Sequence, residues 1–328
     1  MGAGLQVVAG LGIITVALLD VAWTTVAAGS GAGPLTGRIA RRSWQLALAV
    51  HRRRPSHRFL AVAGVSVVFV VLAAWITLVL AGWSVVFTAA DGAVRATATG
   101  QPAGLVDRVY FVGYTVFTLG VGDMRPGKGT WQLLTVLATS SGLMLVTLAI
   151  TYLVPVASAA TQRRHLAVHV SSLGRSPAEI LTRAWNGDGF GMLSQHLVTL
   201  TGLLHASAEG HHTYPVLHYF HSVNERAAAA PAITNLALAL DLLHHGVAPE
   251  ARLEPSVVRP LDEAMDLFLT TVASSYVTAS DDPIPPPDLS PLEEAGIPTA
   301  GAARYQDGAA VTTDRRRILA ALLEDDGR

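Results

Sequence analysis

The chain contains no cysteine, so disulfides, thiolate nucleophiles and cysteine zinc sites are excluded, and the redox compartment is left undetermined. Charge is also scarce. Only 14% of the 328 residues are Asp, Glu, Lys or Arg, and the formal net charge is −1. A nucleic-acid partner needs a basic surplus that survives salt, so none is expected here. No run carries arginine at every third position, which rules out a voltage-sensing helix of the arginine-rich kind. Alternating strand patterns are few. No serine elbow, phosphate loop or paired-acid motif is found, so the chain reads as a non-enzyme with no organic cofactor.

What the chain has in quantity is apolar surface. Hydrophobic residues make up 51% of it and the mean hydropathy is +0.41, too apolar for an ordinary soluble protein and too interrupted for a pure membrane bundle. About 20 apolar residues suffice to cross the hydrocarbon core as a helix. The runs from Phe59 to Ala90 and from Trp131 to Ala160 carry no charge, and a third, from Leu5 to Ala28, is interrupted only by Asp20. No lysine or arginine precedes this first run, so a retained helix is expected rather than a removed signal.

Orientation follows from the arginines, which are held on the cytoplasmic side. Arg38, Arg41, Arg42, Arg52, Arg53, Arg54 and Arg58 lie between the first two spans, and Arg163 and Arg164 follow the third. The expectation is a multi-pass plasma-membrane protein with its N-terminus outside, the segment from Asp91 to Thr130 outside, and its C-terminus in the cytoplasm. The stretch HRRRPSHR has this topogenic role, with lipid headgroup binding as the sharper option.

The external segment LVDRVYFVGYTVF, from Leu105 to Phe117, is apolar, helical in length and too short to span, which fits a re-entrant helix. Irregular backbone at membrane depth is tolerated only where it is buried in protein or lines a water-filled path. The sequence that follows is Thr118-Leu119-Gly120-Val121-Gly122-Asp123. Its glycines permit φ values closed to other residues, so that consecutive carbonyls can point to one side and replace water around a cation.

The order of apolar helix, re-entrant helix, Thr-x-Gly-x-Gly-Asp and apolar helix resembles the pore module of potassium channels. The residues that carry it are YFVGYTVFTLGVGDMRP and GTWQLLTVLATSSGLMLV, and it covers about Phe59 to Pro155. The family signature is usually Thr-Val-Gly-Tyr-Gly. The resemblance implies potassium ions as the permeant species, held at Thr118, Leu119, Gly120 and Val121, with Asp123 in the position of the usual acidic residue. It further implies a homotetramer in membrane lipid, because one pore segment per chain cannot surround an ion. Tyr110, Phe111, Tyr114 and Thr115 are the expected filter supports, Tyr110 and Phe111 supplying the helix side of an aromatic cuff. The chain departs from the pattern at Val121, where an aromatic usually stands, and at Phe117, where a second threonine is common.

Gly142 lies where inner helices of that family often carry a flexible glycine. It serves either as a gating hinge or as a site of close helix packing. Pro155 either splays the helix or ends the membrane segment. Asp20, an ionisable residue inside an apolar helix, is a regulatory candidate or a structural residue paired with Arg41 or Arg42.

After Arg164 the segments SPAEILTRAW, GMLSQHLVTLTGLLHASA, PAITNLALALDLLHH, PSVVRPLDEAMDLFLTTVASSYV and TTDRRRILAALLEDD repeat apolar residues at helical spacing. NGDGFG reads as a helix-linking turn with Asp188 capping. His211, His212, His218 and His221 form a cluster that is either a regulatory proton or metal site, with His218 and His221 on one helix face, or a set of ordinary residues.

The expected fold is an all-α membrane protein. Residues 1–58 hold the first span and a basic loop, and residues 59–160 a pore domain with its filter at 118–123. Residues 161–280 form a helical cytoplasmic domain, and residues 281–328 a proline-rich linker and a last helix. The expected function is a tetrameric, potassium-preferring channel without a voltage sensor, gated or assembled by its helical domain through an unknown ligand. A weakly selective channel and a non-conducting membrane sensor or scaffold are the alternatives.

Overall fold

The computed structural model describes residues 2–26 and 31–328. The chain divides into two compact units, one formed by Met1–Arg42 with Ser66–Pro155 and the other by Ser43–Val65 with Val156–Arg328. It is an all-α membrane protein. Its elements begin with α1 (Ala3–Val26), α2 (Pro34–Arg53) and α3 (His57–Phe87). The strand β1 (Val94–Ala96), helix α4 (Leu105–Val116), strand β2 (Met124–Pro126) and helix α5 (Thr130–Leu173) follow. Helices α1, α3 and α5 are long and apolar enough to cross a membrane. The last two residues of the expected first span, Ala27 and Ala28, lie outside the described residues.

In the first unit, α1 and α3 meet at glycines. A Cβ added at Gly10 would lie 2.7 Å from the carbonyl oxygen of Gly82, and one at Gly82 would lie 2.6 Å from Ile14. Ile14, Ala17 and Val21 complete the buried face of α1. Small residues allow this approach in a membrane, where packing rather than water expulsion holds helices together. Helices α3 and α5 are joined by the Trp83 indole, which donates to the Ser141 hydroxyl at 2.9 Å. Strands β1 and β2 pair antiparallel, with Val94 opposite Pro126 and Ala96 opposite Met124, a small sheet that the sequence reading lacks.

Two boundaries differ from expectation. The basic stretch after the first span is largely helical rather than a loop, because the buried Thr36, Ala40, Trp44, Ala47 and His51 recur at intervals of three or four among the arginines. The helix that holds the third span does not stop near Ala160: α5 passes Pro155 without ending and runs to Leu173, just before Gly174. Leu166, Ala167 and Val170 of its last turns are buried in the core of the second unit.

That unit continues with α6 (Pro177–Ala184), α7 (Leu193–Thr213), α8 (Ala229–Asp241) and α9 (Pro255–Ser275). It ends with α10 (Ser290–Glu294), α11 (Ala302–Val311) and α12 (Thr313–Asp325). Start signals read from sequence are in place: Ser176 accepts the backbone N–H of Glu179, and Pro177 and Pro255 open their helices. In the NGDGFG turn the cap is Asn186, not Asp188, since its side-chain oxygen accepts the N–H groups of Asp188 at 3.1 Å and Gly189 at 2.9 Å. The proline-rich segment is no free linker. Leu289, Leu292, Ile297, Tyr305, Leu319 and Leu322 share one core with α7, α8 and α9, and the buried Arg316 donates to the Ile284 carbonyl at 2.7 Å.

Candidate functional site

The candidate ion-binding segment begins where α4 ends. Helix α4 is fixed at its start by Arg108, a buried residue that donates to the Ala103 carbonyl at 2.8 Å and pairs with Asp91 at 2.8 Å. At its end, the N–H of Thr118 donates to Thr115 at 3.1 Å and that of Leu119 to Tyr114 at 2.8 Å. The chain then leaves the helix through alternating backbone conformations: φ is +60° at Thr118, +58° at Gly120 and +86° at Gly122, with no positive φ at Leu119 or Val121. In an extended strand successive carbonyls point to opposite sides. Alternating left-handed residues with ordinary ones cancels that alternation, which is what a row of carbonyls facing one ion requires.

Glycine takes such φ values freely, but for a β-branched residue they are strained by about 1–3 kcal/mol. Thr118 is the one non-glycine residue with positive φ among the described residues. Gly120, Val121 and Gly122 take no part in the backbone hydrogen bonds among the described residues, and Thr118 to Asp123 are all exposed. The carbonyls of Thr118 to Gly122 accept no backbone hydrogen bond among the described residues, which leaves them for a ligand.

The segment is held at its far side as well. The Tyr114 hydroxyl donates to the Met124 carbonyl at 2.6 Å, and the Asp123 carbonyl accepts the N–H of Thr97 at 2.8 Å. Around Tyr114 the rings form a chain. Phe111 lies 5.4 Å and Tyr110 5.2 Å from it, both edge-on, and Phe111 meets Phe87 of α3 at 5.2 Å. Of the expected supports, Phe111, Tyr114 and Thr115 are buried, whereas Tyr110 is 44% exposed. Tyr114, rather than Tyr110, makes the polar contact. The further partners in this aromatic chain, Phe87 and Trp131 with their rings 5.9 Å apart, carried no signal of this contact beyond being apolar.

Gly142 sits against the end of α4, where an added Cβ would collide with the Val116 carbonyl. This contact favours the packing role. Asp20 is buried, and its partners are not arginines. Its carboxyl oxygens accept the N–H of Leu35 at 2.8 Å, the N–H and hydroxyl of Thr36 at 3.1 and 2.5 Å, and the indole N–H of Trp75 at 3.1 Å. An aspartate in an apolar helix thus caps the start of α2, consuming orphan donors that a basic surface helix would otherwise leave open.

The histidines of the second unit do not share one helix face, because the 3₁₀ turn Pro215–Tyr219 holds His218 and ends before His221. Each meets its own carboxylate: His218 Nε2 lies 2.6 Å from Asp325, and His221 Nδ1 3.3 Å from Asp326. His221 also stacks on His57, with their nitrogens 3.1 Å apart. His211 is buried beside the Ser207 carbonyl, and burial first, then the charges of Arg163 and His218, hold its pKa well below the usual 6.5. His212 is exposed. No group of three His, Asp or Glu suited to a metal ion occurs among the described residues, so the geometry gives the metal reading no support. His57, Asp325 and Asp326 escaped sequence reasoning, since no local spacing links them to the cluster.

Residues 65–159 match the family described as "Ion channel". The chain is 31% identical over 323 residues to the "Uncharacterized membrane protein YdjJ" of Bacillus subtilis (strain 168), covering 98% of this chain and 94% of that one. No solved structure matches. The chain belongs to the family of that membrane protein, and its residues 65–159 are an ion-channel pore domain of the two-transmembrane type in which potassium-channel pores fall.

Proposed function

We propose that the protein is a homotetrameric, potassium-preferring cation channel of the plasma membrane, with its N-terminus outside and its C-terminus in the cytoplasm. Potassium ions bind between the backbone carbonyls of Thr118, Leu119, Gly120 and Val121 and the Thr118 hydroxyl. Asp123 adds negative charge at the outer mouth. The observation that carries this reading is the alternation of positive φ at Thr118, Gly120 and Gly122 at the end of a short buried-edge helix. Exposure of Leu119 and Val121, at 71% and 56%, fits a segment completed by copies of itself, since apolar side chains at a filter have no reason to face water.

One observation favours weaker selectivity within the same architecture. Val121 carries no ring to complete the aromatic cuff begun by Phe111 and Tyr114, so less stiffness stands behind the carbonyls. Reversal potentials of the purified protein in planar bilayers, with potassium on one side and sodium on the other, test both readings. A reversal potential near the potassium equilibrium value supports a selective pore, one near zero a weakly selective pore, and the absence of any current a non-conducting membrane protein.

A further inference from the structure

The second unit contains a polar cavity of about 600 Å³ whose electrostatics are one-sided. Arg175, Arg226 and Arg328 line it, with Glu225 as the single acidic side chain among the lining residues and Asn224 and Asn235 as neutral donors. Arg175 and Arg226 are exposed and enter no ion pair among the described residues. Arg328 is set in place by Asp326 at 3.0 Å and by the Ser222 carbonyl at 2.8 Å. Asn235 donates to the carbonyl of Arg175 at 2.9 Å and so fixes the backbone that carries it.

The first turn of α8 adds to this charge. Helix α8 begins at Ala229 with no side-chain cap, and Pro231 and Ala232 of that turn line the cavity. The N–H of Ala232 is taken by the Ala228 carbonyl and Pro231 has none, so this turn adds only the positive end of the helix dipole. A volume of this size is typical of small-molecule sites. Arg175 and Arg226 leave two guanidinium forks outside any ion pair among the described residues, and phosphate oxygens accept bidentate arginine from several directions.

We propose that this cavity binds a soluble phosphate-bearing small molecule, and that binding regulates the channel. Val170, Ser171 and Gly174, at and just past the end of α5, line the same cavity, and α5 is the helix that starts beside the filter segment at Thr130. A ligand that holds one placement of this helix end more tightly than another shifts the balance between conducting and silent states. The regulatory half rests on the channel reading; the binding half does not.

The test is calorimetric titration of the detergent-solubilised full chain with inorganic pyrophosphate, followed by ion flux from liposomes with and without it. Wild type binds, and Arg175→Gln or Arg226→Gln each weakens binding about tenfold or more, as expected for a lost charge-assisted contact. Arg259→Gln, on the exposed face of α9, leaves binding unchanged. No binding at millimolar pyrophosphate, or equal binding by Arg226→Gln, overturns the site. Arg226-dependent binding of phosphatidylglycerol over phosphatidylcholine, with none of pyrophosphate, makes the occupant a lipid headgroup and overturns the soluble ligand. Binding without any change in wild-type flux overturns the regulation. Binding with no flux under any condition leaves the site standing and overturns the channel reading instead.

Discussion

The hydroxyl of Tyr114 lies 2.6 Å from the carbonyl oxygen of Met124, so the last turn of α4 is pinned to β2. Only Asp123 separates Met124 from Gly122, so on the proposed function any slack at this bond is felt where the carbonyls hold the ion. Tyr114→Phe removes the donor while keeping the aromatic packing against Phe111. The loss is about 1 kcal/mol for the hydrogen bond, plus the cost of a poorly solvated carbonyl. The expected outcome is conduction with a reduced potassium-over-sodium permeability ratio, read from reversal potentials. An unchanged ratio removes Tyr114 from the filter's support.

Gly142→Ala separates packing from hinging. Alanine is about 1 kcal/mol better than glycine inside a helix, so a hinge or spacer glycine would yield a stabilised protein. Here the new methyl meets the Val116 carbonyl, and an overpacked contact costs about 1–3 kcal/mol. The clash outweighs the propensity gain, and the melting temperature should fall. A rise would show that α5 does not press on the end of α4 as described.

Asp20→Asn replaces one acceptor oxygen with a donor amide in a cage whose groups all donate to the carboxylate, the backbone N–H groups of Leu35 and Thr36, the Thr36 hydroxyl and the Trp75 indole. Leaving buried donors opposed or unpaired costs about 1–3 kcal/mol. Thermal stability of the solubilised protein should drop while the reversal potential stays fixed, because the cage includes no residue of the filter segment. A shifted reversal potential contradicts this separation.

The acid sensitivity of the second unit has a defined sign. Burial holds the His211 pKa well below 6.5, so above that pH the residue is neutral in both folded and unfolded chains and costs nothing. As pH falls below about 6.5 the unfolded chain takes up the proton first, and stability is lost until the folded pKa is reached. The melting temperature should therefore decline between about pH 7 and 5. His211→Gln should flatten the decline, and an equally steep curve in the variant assigns the acid sensitivity elsewhere.

Much of the membrane part was legible in the sequence because lipid leaves few choices. Uncharged runs must be helices, and Leu105–Val116 is too short to cross, so the re-entrant element and the glycine-rich segment after it stood out. Helix α2 was masked by its arginines, which dominate a charge-based reading although Thr36, Ala40, Trp44, Ala47 and His51 keep helical spacing. The partners of Asp20 and His221 were out of reach for another reason. Trp75 is 55 residues from Asp20, His57 is 164 from His221, and Asp326 is 105 from it. No local periodicity encodes such pairs. The proline-rich segment misled because proline marks irregular backbone, and irregular backbone still buries Leu289 and Ile297 when a core is waiting for them.

The central claim is that Thr118 to Asp123 carry the ion, and the most direct measurement is potassium current through Gly122→Ala compared with wild type in the same bilayers. At φ +86° a Cβ is strained, so the variant cannot hold the carbonyl direction that the glycine holds. The account predicts that Gly122→Ala still inserts and assembles, migrating with the wild-type oligomer on size exclusion, but passes no potassium. Wild-type current through the assembled variant would contradict it.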